Sequence, residues 1–138
     1  MIKIADKDDI LYIAVMMMAL YKEIQPSHYS KNIDVYISQV VKHMSMPSDT
    51  VYVAKGGFFI VRDETEPMAP TLRRYNGIRV YIDPDHRKGS LLARFYDRLF
   101  TDFPDGEILG ITEINSEHIK VLDKRHTLIA KVYRLNRR

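Results

Sequence analysis

The chain contains no cysteine, which excludes disulfide cross-links and thiolate catalysis and fits the reducing cytosol, so a cytoplasmic location is expected. Long hydrophobic runs are missing too. The longest, Ile10 to Leu20, follows Asp8 and Asp9 and is too short to cross a bilayer, so it reads as an amphipathic helix and no membrane segment is expected. Met1-Ile2-Lys3-Ile4 leads straight into that pattern, without the charged and apolar regions of a signal peptide. His28, His43, His86, His118 and His126 show neither i, i+4 spacing nor neighbouring cysteines, so no metal site is expected. A sharp glycine-serine-glycine nucleophile turn is absent, and a Ser-His-Asp hydrolase finds no support.

What is present suits one folded unit. With 138 residues and 46% hydrophobic content, the chain reads as a single domain over 1–138 that buries its own core. The formal charge of +3 is unevenly spread, with Arg73, Arg74 and Arg79 in the middle and Arg134, Arg137 and Arg138 at the end. No aromatic stacking motif accompanies these clusters on an adjacent strand, so they read as solvated faces, and nucleic acid is not an expected partner.

In order, Ile2 and Ile4 alternate around Lys3 as a short strand, and Asp8 or Asp9 is placed to cap a helix. Ile10, Ile13, Ala14, Met17, Leu20 and Ile24 repeat at helical spacing up to Pro26, with Met16, Met17 and Met18 as core filler. Ser27 to Ser30, holding His28 and Tyr29, is a place for substrate to meet the protein. A second helix carries Ile33, Ile37, Val40, Val41 and Met44, and Pro47 closes it. Thr50 to Ala54 and Phe58 to Arg62 form a hairpin across Lys55-Gly56-Gly57, whose paired glycines supply positive φ angles. Asp63 to Arg74 reads as an excursion before a third antiparallel strand, Ile78 to Ile82. A helix with Leu91, Leu92, Phe95 and Leu99 inward follows, then Ile108 to Ile114 as a strand buried on both faces beside the preceding one. Asn115 and Ser116 cap a short helix, and Leu128 to Leu135 is a terminal strand.

One stretch stands out, from Arg79 to Leu92. A β-rich run stops at Pro84, Arg87-Lys88-Gly89-Ser90 forms a basic loop, and a helix begins. Backbone N–H groups at a helix N-terminus have no intrahelical partner, so such a loop can hold a phosphate, with Gly89 admitting close approach and Arg87 and Lys88 adding charge.

The order of elements, together with Val80-Tyr81-Ile82-Asp83-Pro84-Asp85-His86-Arg87-Lys88-Gly89, the Val51 to Gly57 hairpin and Asn115 ahead of the Ser116 to Lys124 helix, resembles the GNAT superfamily of N-acetyltransferases. The resemblance implies an α+β fold of three α/β/α layers, whose mixed sheet has antiparallel N-terminal strands and a splayed parallel pair at the cofactor gap. It also implies acetyl-CoA or another acyl-CoA as cofactor and an amine, on a small molecule or a protein, as acceptor. The diphosphate would lie on the amides of Arg87, Lys88, Gly89, Ser90 and Leu91, the pantetheine would run along Tyr81 and Ile82, and Asn115 would contribute from the second cofactor-side motif. Acceptor choice would depend on the loops Gln25 to Asn32 and Glu64 to Tyr75.

An amine must lose a proton to attack a thioester, and the departing thiolate must gain one. Glu113, at the end of the buried strand, is the best-placed carboxylate for this, with His118 and Tyr81 as further candidates. Three positions depart from the family pattern: Leu91 stands where a small residue is usual and narrows the approach, Leu122 stands at the place of an acid tyrosine, and the C-terminus has room for one strand rather than a hairpin. These support a second reading, a GNAT-fold binding or structural protein without catalysis, such as a phage or host-interaction factor. The unpaired edge left by the short terminus leads to the expectation that two chains pair there as a homodimer.

Overall fold

The computed structural model describes residues 1–110. The expectations placed on Ile111 to Ile114 including Glu113, on Asn115, His118 and Leu122, and on the terminal strand lie outside the described residues.

The first strand, β1 (Lys3–Ile4), runs into a 3-10 turn at Lys7–Asp9. Its cap is Asp6 rather than Asp8 or Asp9. The Asp6 carboxylate accepts from the Asp8 amide at 2.8 Å, and the Asp9 carboxylate accepts from the Asp6 amide at 2.9 Å. This reciprocal box satisfies two donors at once, and Lys3 closes it from outside, 3.2 Å from Asp6 and 2.9 Å from Asp9. Helix α1 (Ile10–Ile24) follows without a side-chain cap of its own. It buries Ile13, Ala14, Met16 and Met17, so the apolar stripe read from the spacing is the packed one, although Ile24 ends half exposed. Asn32 caps α2 (Ile33–Ser45) by accepting from the Asp34 amide at 3.1 Å, and α2 buries Tyr36, Val40 and His43.

Strands β2 (Asp49–Ala54) and β3 (Gly57–Asp63) form the hairpin. Its turn is Lys55-Gly56, and only Gly56 takes a positive φ, +88°, while Gly57 belongs to the strand. The next strand, β4 (Arg73–Ile82), starts five residues earlier than expected. Arg73, Arg74, Asn76 and Gly77 read as loop because they are polar or small, yet β5 (Gly106–Gly110) pairs with all four, and β3 holds Asn76 and Gly77 from the other side. Helix α3 (Leu91–Asp102) makes the crossover between β4 and β5. The sheet runs in the order β1-β2-β3-β4-β5, antiparallel through β4, with β5 parallel to β4 from Arg73↔Gly106 to Gly77↔Gly110.

Strand alternation divides the core between two faces. Val51, Val53, Phe58, Ile60 and Tyr81 pack with α1 and α2, whereas Tyr52, Ala54, Phe59, Val61 and Ile82 pack with α3 through Leu91, Leu92, Phe95, Tyr96 and Leu99. Each large apolar side chain so buried contributes about 1.5–3 kcal/mol. The result is an α/β/α sandwich on a mixed sheet, as the fold class required. A polar knot pins one corner: Asp49, whose side chain is shielded from solvent, holds His43 Nδ1 at 2.8 Å and accepts from Arg62 Nε at 2.7 Å and Nη2 at 3.0 Å. No helix among the described residues is long and apolar enough to cross a membrane.

Candidate functional site

The sequence of β4 would place Tyr75, Gly77 and Arg79 on one face, because side chains in a strand alternate. A bulge changes this. Val61 pairs with Gly77 and Ile60 pairs with Arg79, leaving Ile78 as an extra residue. The bulge reverses the parity of everything after it. Tyr75 therefore packs on the α3 side, while Arg79 and Tyr81 lie on the face of α1 and α2.

After Ile82 the chain is tied down at several points. The Asp83 amide donates to the carbonyl of Gly56 at 2.7 Å, and the Asp83 side chain caps a short turn, Pro84–His86, by accepting from the Asp85 amide at 2.9 Å. The His86 ring packs on Gly56 so closely that a Cβ there would run into it. The Tyr12 hydroxyl accepts from the Gly56 amide at 2.9 Å. Through Gly56, α1 and the hairpin turn together seat the loop.

Arg87 does not offer its charge to the loop as the sequence suggested. Its Nε donates to the Ile82 carbonyl at 2.8 Å, its Nη2 meets both carboxylate oxygens of Glu23 at 2.6 and 2.8 Å, and its guanidinium lies 5.5 Å from the Tyr81 ring centroid. Its amide donates to Pro84 at 3.4 Å and that of Gly89 to His86 at 3.3 Å, both within the loop. Lys88 is the exposed cation, and among the described residues the amides of Lys88, Ser90 and Leu91 donate no hydrogen bond within the protein. Ser90 stands at the N-cap of α3 but its hydroxyl makes no capping bond.

Gly89 has an ordinary φ, and a Cβ added to it would meet only the His86 carbonyl oxygen, at 3.5 Å. Neither backbone strain nor packing among the described residues requires glycine at this position. Leu91 departs from expectation in the opposite direction: it is 3% exposed and packs in the α3 core, so its side chain points away from the loop mouth and does not narrow it.

Tyr81 is buried against Phe58, with ring centroids 6.5 Å apart. Burial, reinforced by the Glu23 carboxylate, pushes its phenol above the ordinary range against the opposing pull of Arg87. Ile82 is buried on the other face and pairs with Gly57. Of the residues named from the sequence, the structure thus brings Tyr81, Ile82, Arg87, Lys88, Gly89, Ser90 and Leu91 to one end of β4. Glu113, Asn115 and His118 lie outside the described residues.

Beside Tyr81, on the α1 and α2 face, is a recess of about 440 Å³ lined by Met17, Tyr21, Gln25, His28, Tyr29, Ser30, Val35, Tyr36, Gln39 and Arg79. It includes most of the Ser27 to Ser30 segment singled out in the sequence. The Tyr36 hydroxyl fixes its rim by donating to the Ser30 carbonyl at 2.8 Å. Arg79 at its floor was legible only as part of a basic cluster. That cluster does not exist as a patch: Arg73 pairs with Asp63 and Arg74 with Glu107, while Arg79 points into the recess.

No protein-family model matches the sequence, and no curated protein does. Solved structures match over nearly the whole chain. A ribosomal-protein-alanine N-acetyltransferase from Brucella melitensis biovar Abortus 2308 superposes with a TM-score of 0.78 at 15% identity, covering 99% of this chain and 96% of that one. AAC(6')-Iy, solved in complex with the bisubstrate analogue CoA-S-monomethyl-acetylneamine, gives 0.72 at 13% identity over 100% and 97%. An aminoglycoside 6'-N-acetyltransferase from Acinetobacter haemolyticus gives 0.66 at 12% identity over 100% and 98%. At these identities the likeness is one of fold, and the fold is that of the GNAT acetyltransferases.

Proposed function

We propose that the protein is an acyl-CoA-dependent N-acyltransferase that moves an acetyl group from acetyl-CoA, or another acyl group, to an amine. The observation that carries the reading is Gly89, a glycine that nothing among the described residues requires, at the end of a loop that opens onto the N-terminus of α3. A ligand that must approach the backbone closely explains it, and an anion is the ligand a helix N-terminus favours.

The residues present fit a diphosphate. The amides of Lys88, Ser90 and Leu91 would hold it, with the exposed Lys88 ammonium adding charge, while Arg87 positions the loop rather than the ligand. The acyl-CoA supplies a thioester carbon open to attack and a thiolate that leaves. The chain's own part is to place the acceptor nitrogen against that carbon and to manage two protons, one leaving the nitrogen and one reaching the sulfur. Tyr81, a phenol that burial pushes above its already high ordinary range, has a proton to give beside the same strand edge. Glu113, His118 and Asn115 retain the roles that the family resemblance implies, base or acid for the first two and cofactor contact for the third.

The inward-turned Leu91 removes one of the arguments for a non-catalytic protein. The test is release of free CoA thiol from acetyl-CoA in the presence of a broad panel of amines. Amine-dependent thiol release is expected, and its absence across the panel despite acetyl-CoA binding would favour the non-catalytic reading.

A further inference from the structure

The recess beside Tyr81 carries a charge that no carboxylate among the described residues answers. Arg62, Arg73, Arg74, Arg87 and Arg98 each pair with a carboxylate; among the described residues Arg79 and Arg94 form no ion pair, and of these two it is Arg79 that lines the recess. Its Nε is buried without a hydrogen-bond partner among the described residues, and its guanidinium lies 5.8 Å from the Tyr21 ring centroid. A buried donor with nothing to bond to is unfavourable, and natural structures hold few of them. The β4 bulge is what puts it there, since regular alternation from Tyr75 would have turned Arg79 to the α3 side.

The lining around Arg79 is selective in sign. Among the described residues it contains no Asp or Glu: the neighbours are Met17, Tyr21, Tyr29 and Tyr36, with His28 at the mouth. Glu23, the nearby carboxylate on α1, is engaged by Arg87. A polycationic acceptor would meet a positive charge and no counter-charge, whereas a carboxylate would meet the rigid donor fork that suits it. Tyrosine rings and a methionine suit an apolar or aromatic body, and about 440 Å³ admits a ligand of amino-acid or dipeptide size.

We propose that this recess is the acceptor site and that its ligand is an amino carboxylate with an apolar or aromatic side chain, held through its carboxylate by Arg79. The inference rests on the acyl-transfer reading for the reaction but not for the pocket. With the carboxylate on Arg79, the amine lies at the β4 edge; its nitrogen forms the new C–N bond, the C–S bond breaks, and the proton lost from nitrogen is matched by one gained at sulfur.

The experiment is calorimetric titration of the full chain, with CoA at saturation, using matched pairs of probes: L-phenylalanine against phenethylamine, L-tyrosine against tyramine, and L-leucine against isoamylamine. At least one amino acid should bind tighter than its decarboxylated partner by roughly tenfold or more, the size of a charge-assisted hydrogen bond. Arg79→Gln should abolish that difference while leaving acetyl-CoA affinity within about twofold. If no amino acid outbinds its amine, or if Arg79→Gln keeps the preference, the proposal is overturned, and because the pairs are compared on the wild type this holds even where a variant misfolds. A carboxylate preference in a protein that does not bind acetyl-CoA would leave the pocket standing and remove the acyl-transfer reading instead.

Discussion

Arg87 Nη2 donates to both carboxylate oxygens of Glu23, at 2.6 and 2.8 Å, in an ion pair between the basic loop and the last turn of α1. With Arg87 Nε on the Ile82 carbonyl, this pair sets where the loop leaves the sheet. Both side chains are partly exposed, so the pair itself contributes only about 0.2–1 kcal/mol. Glu23→Gln should therefore lower the unfolding free energy by under about 1 kcal/mol, with the difference shrinking in high salt. Arg87→Lys should weaken acetyl-CoA binding although it keeps the charge, because a single ammonium cannot hold Ile82 and Glu23 together. Urea melts and calorimetry check both.

The Asp49 knot predicts acid sensitivity. Burial opposes the charge on Asp49, but the bonds from Arg62 and His43 outweigh it and hold the carboxyl below its usual range. Because the folded pKa is the lower one, the stabilisation is complete above the ordinary carboxylate range and is lost as pH falls through the folded pKa. Asp49→Asn should cost about 3 kcal/mol at neutral pH, since it leaves the Arg62 guanidinium without its counter-charge and disturbs the bond to His43 Nδ1, and should flatten the acid limb of a stability-against-pH curve. Chemical denaturation from pH 7 down to pH 3 measures this; an unchanged acid limb would place the sensitivity elsewhere.

Gly56 combines a φ of +88° with the His86 ring against its Cα. Gly56→Ala should destabilise by about 1–3 kcal/mol, from backbone strain and from displacement of His86. Gly89→Ala should leave the melting temperature essentially unchanged, because φ there is ordinary and, among the described residues, the added methyl meets only one atom at van der Waals distance. Two glycines of one loop assembly thus separate a structural requirement from a ligand requirement, and paired thermal melts read the difference.

Tyr52 donates to Asp102 at 2.7 Å across the α3 face, beneath the Arg98 guanidinium. Burial, with the Asp102 carboxylate adding to it, pushes the Tyr52 phenol far above its ordinary range. Tyr52→Phe should cost about 1 kcal/mol at neutral pH, as measured by urea denaturation. A raised folded pKa means that the stabilisation is present below the ordinary phenol range and is lost only above it, so the cost should not vary between pH 6 and pH 8.

Much of the layer order was legible because spacing reports burial directly: Ile13, Ala14 and Met17 on α1, and Leu91, Leu92, Phe95 and Leu99 on α3, are the packed residues. The β4 boundary was not, because Arg73, Arg74, Asn76 and Gly77 have no strand character of their own and are made a strand by β3 and β5. The Asp6 cap was missed because three acidic residues in four positions compete for the role, and only geometry selects one. At the site, the strand-loop-helix order and Gly89 could be read from residue types. Arg87 was misread because its carboxylate partner is distant in sequence, on α1. Arg79 could not be assigned at all, since a one-residue bulge decides which face it occupies, and nothing in Gly77-Ile78-Arg79 announces one.

The measurement closest to the central claim is isothermal calorimetry of acetyl-CoA against the wild type and Gly89→Glu, with apo melting temperatures alongside. The expected result is saturable binding to the wild type, at least about tenfold weaker binding to Gly89→Glu because a carboxylate would stand against the diphosphate, and similar melting temperatures for the two. No heat and no thermal shift with the wild type, or equal affinity in Gly89→Glu, would contradict an acyl-CoA seat at the N-terminus of α3.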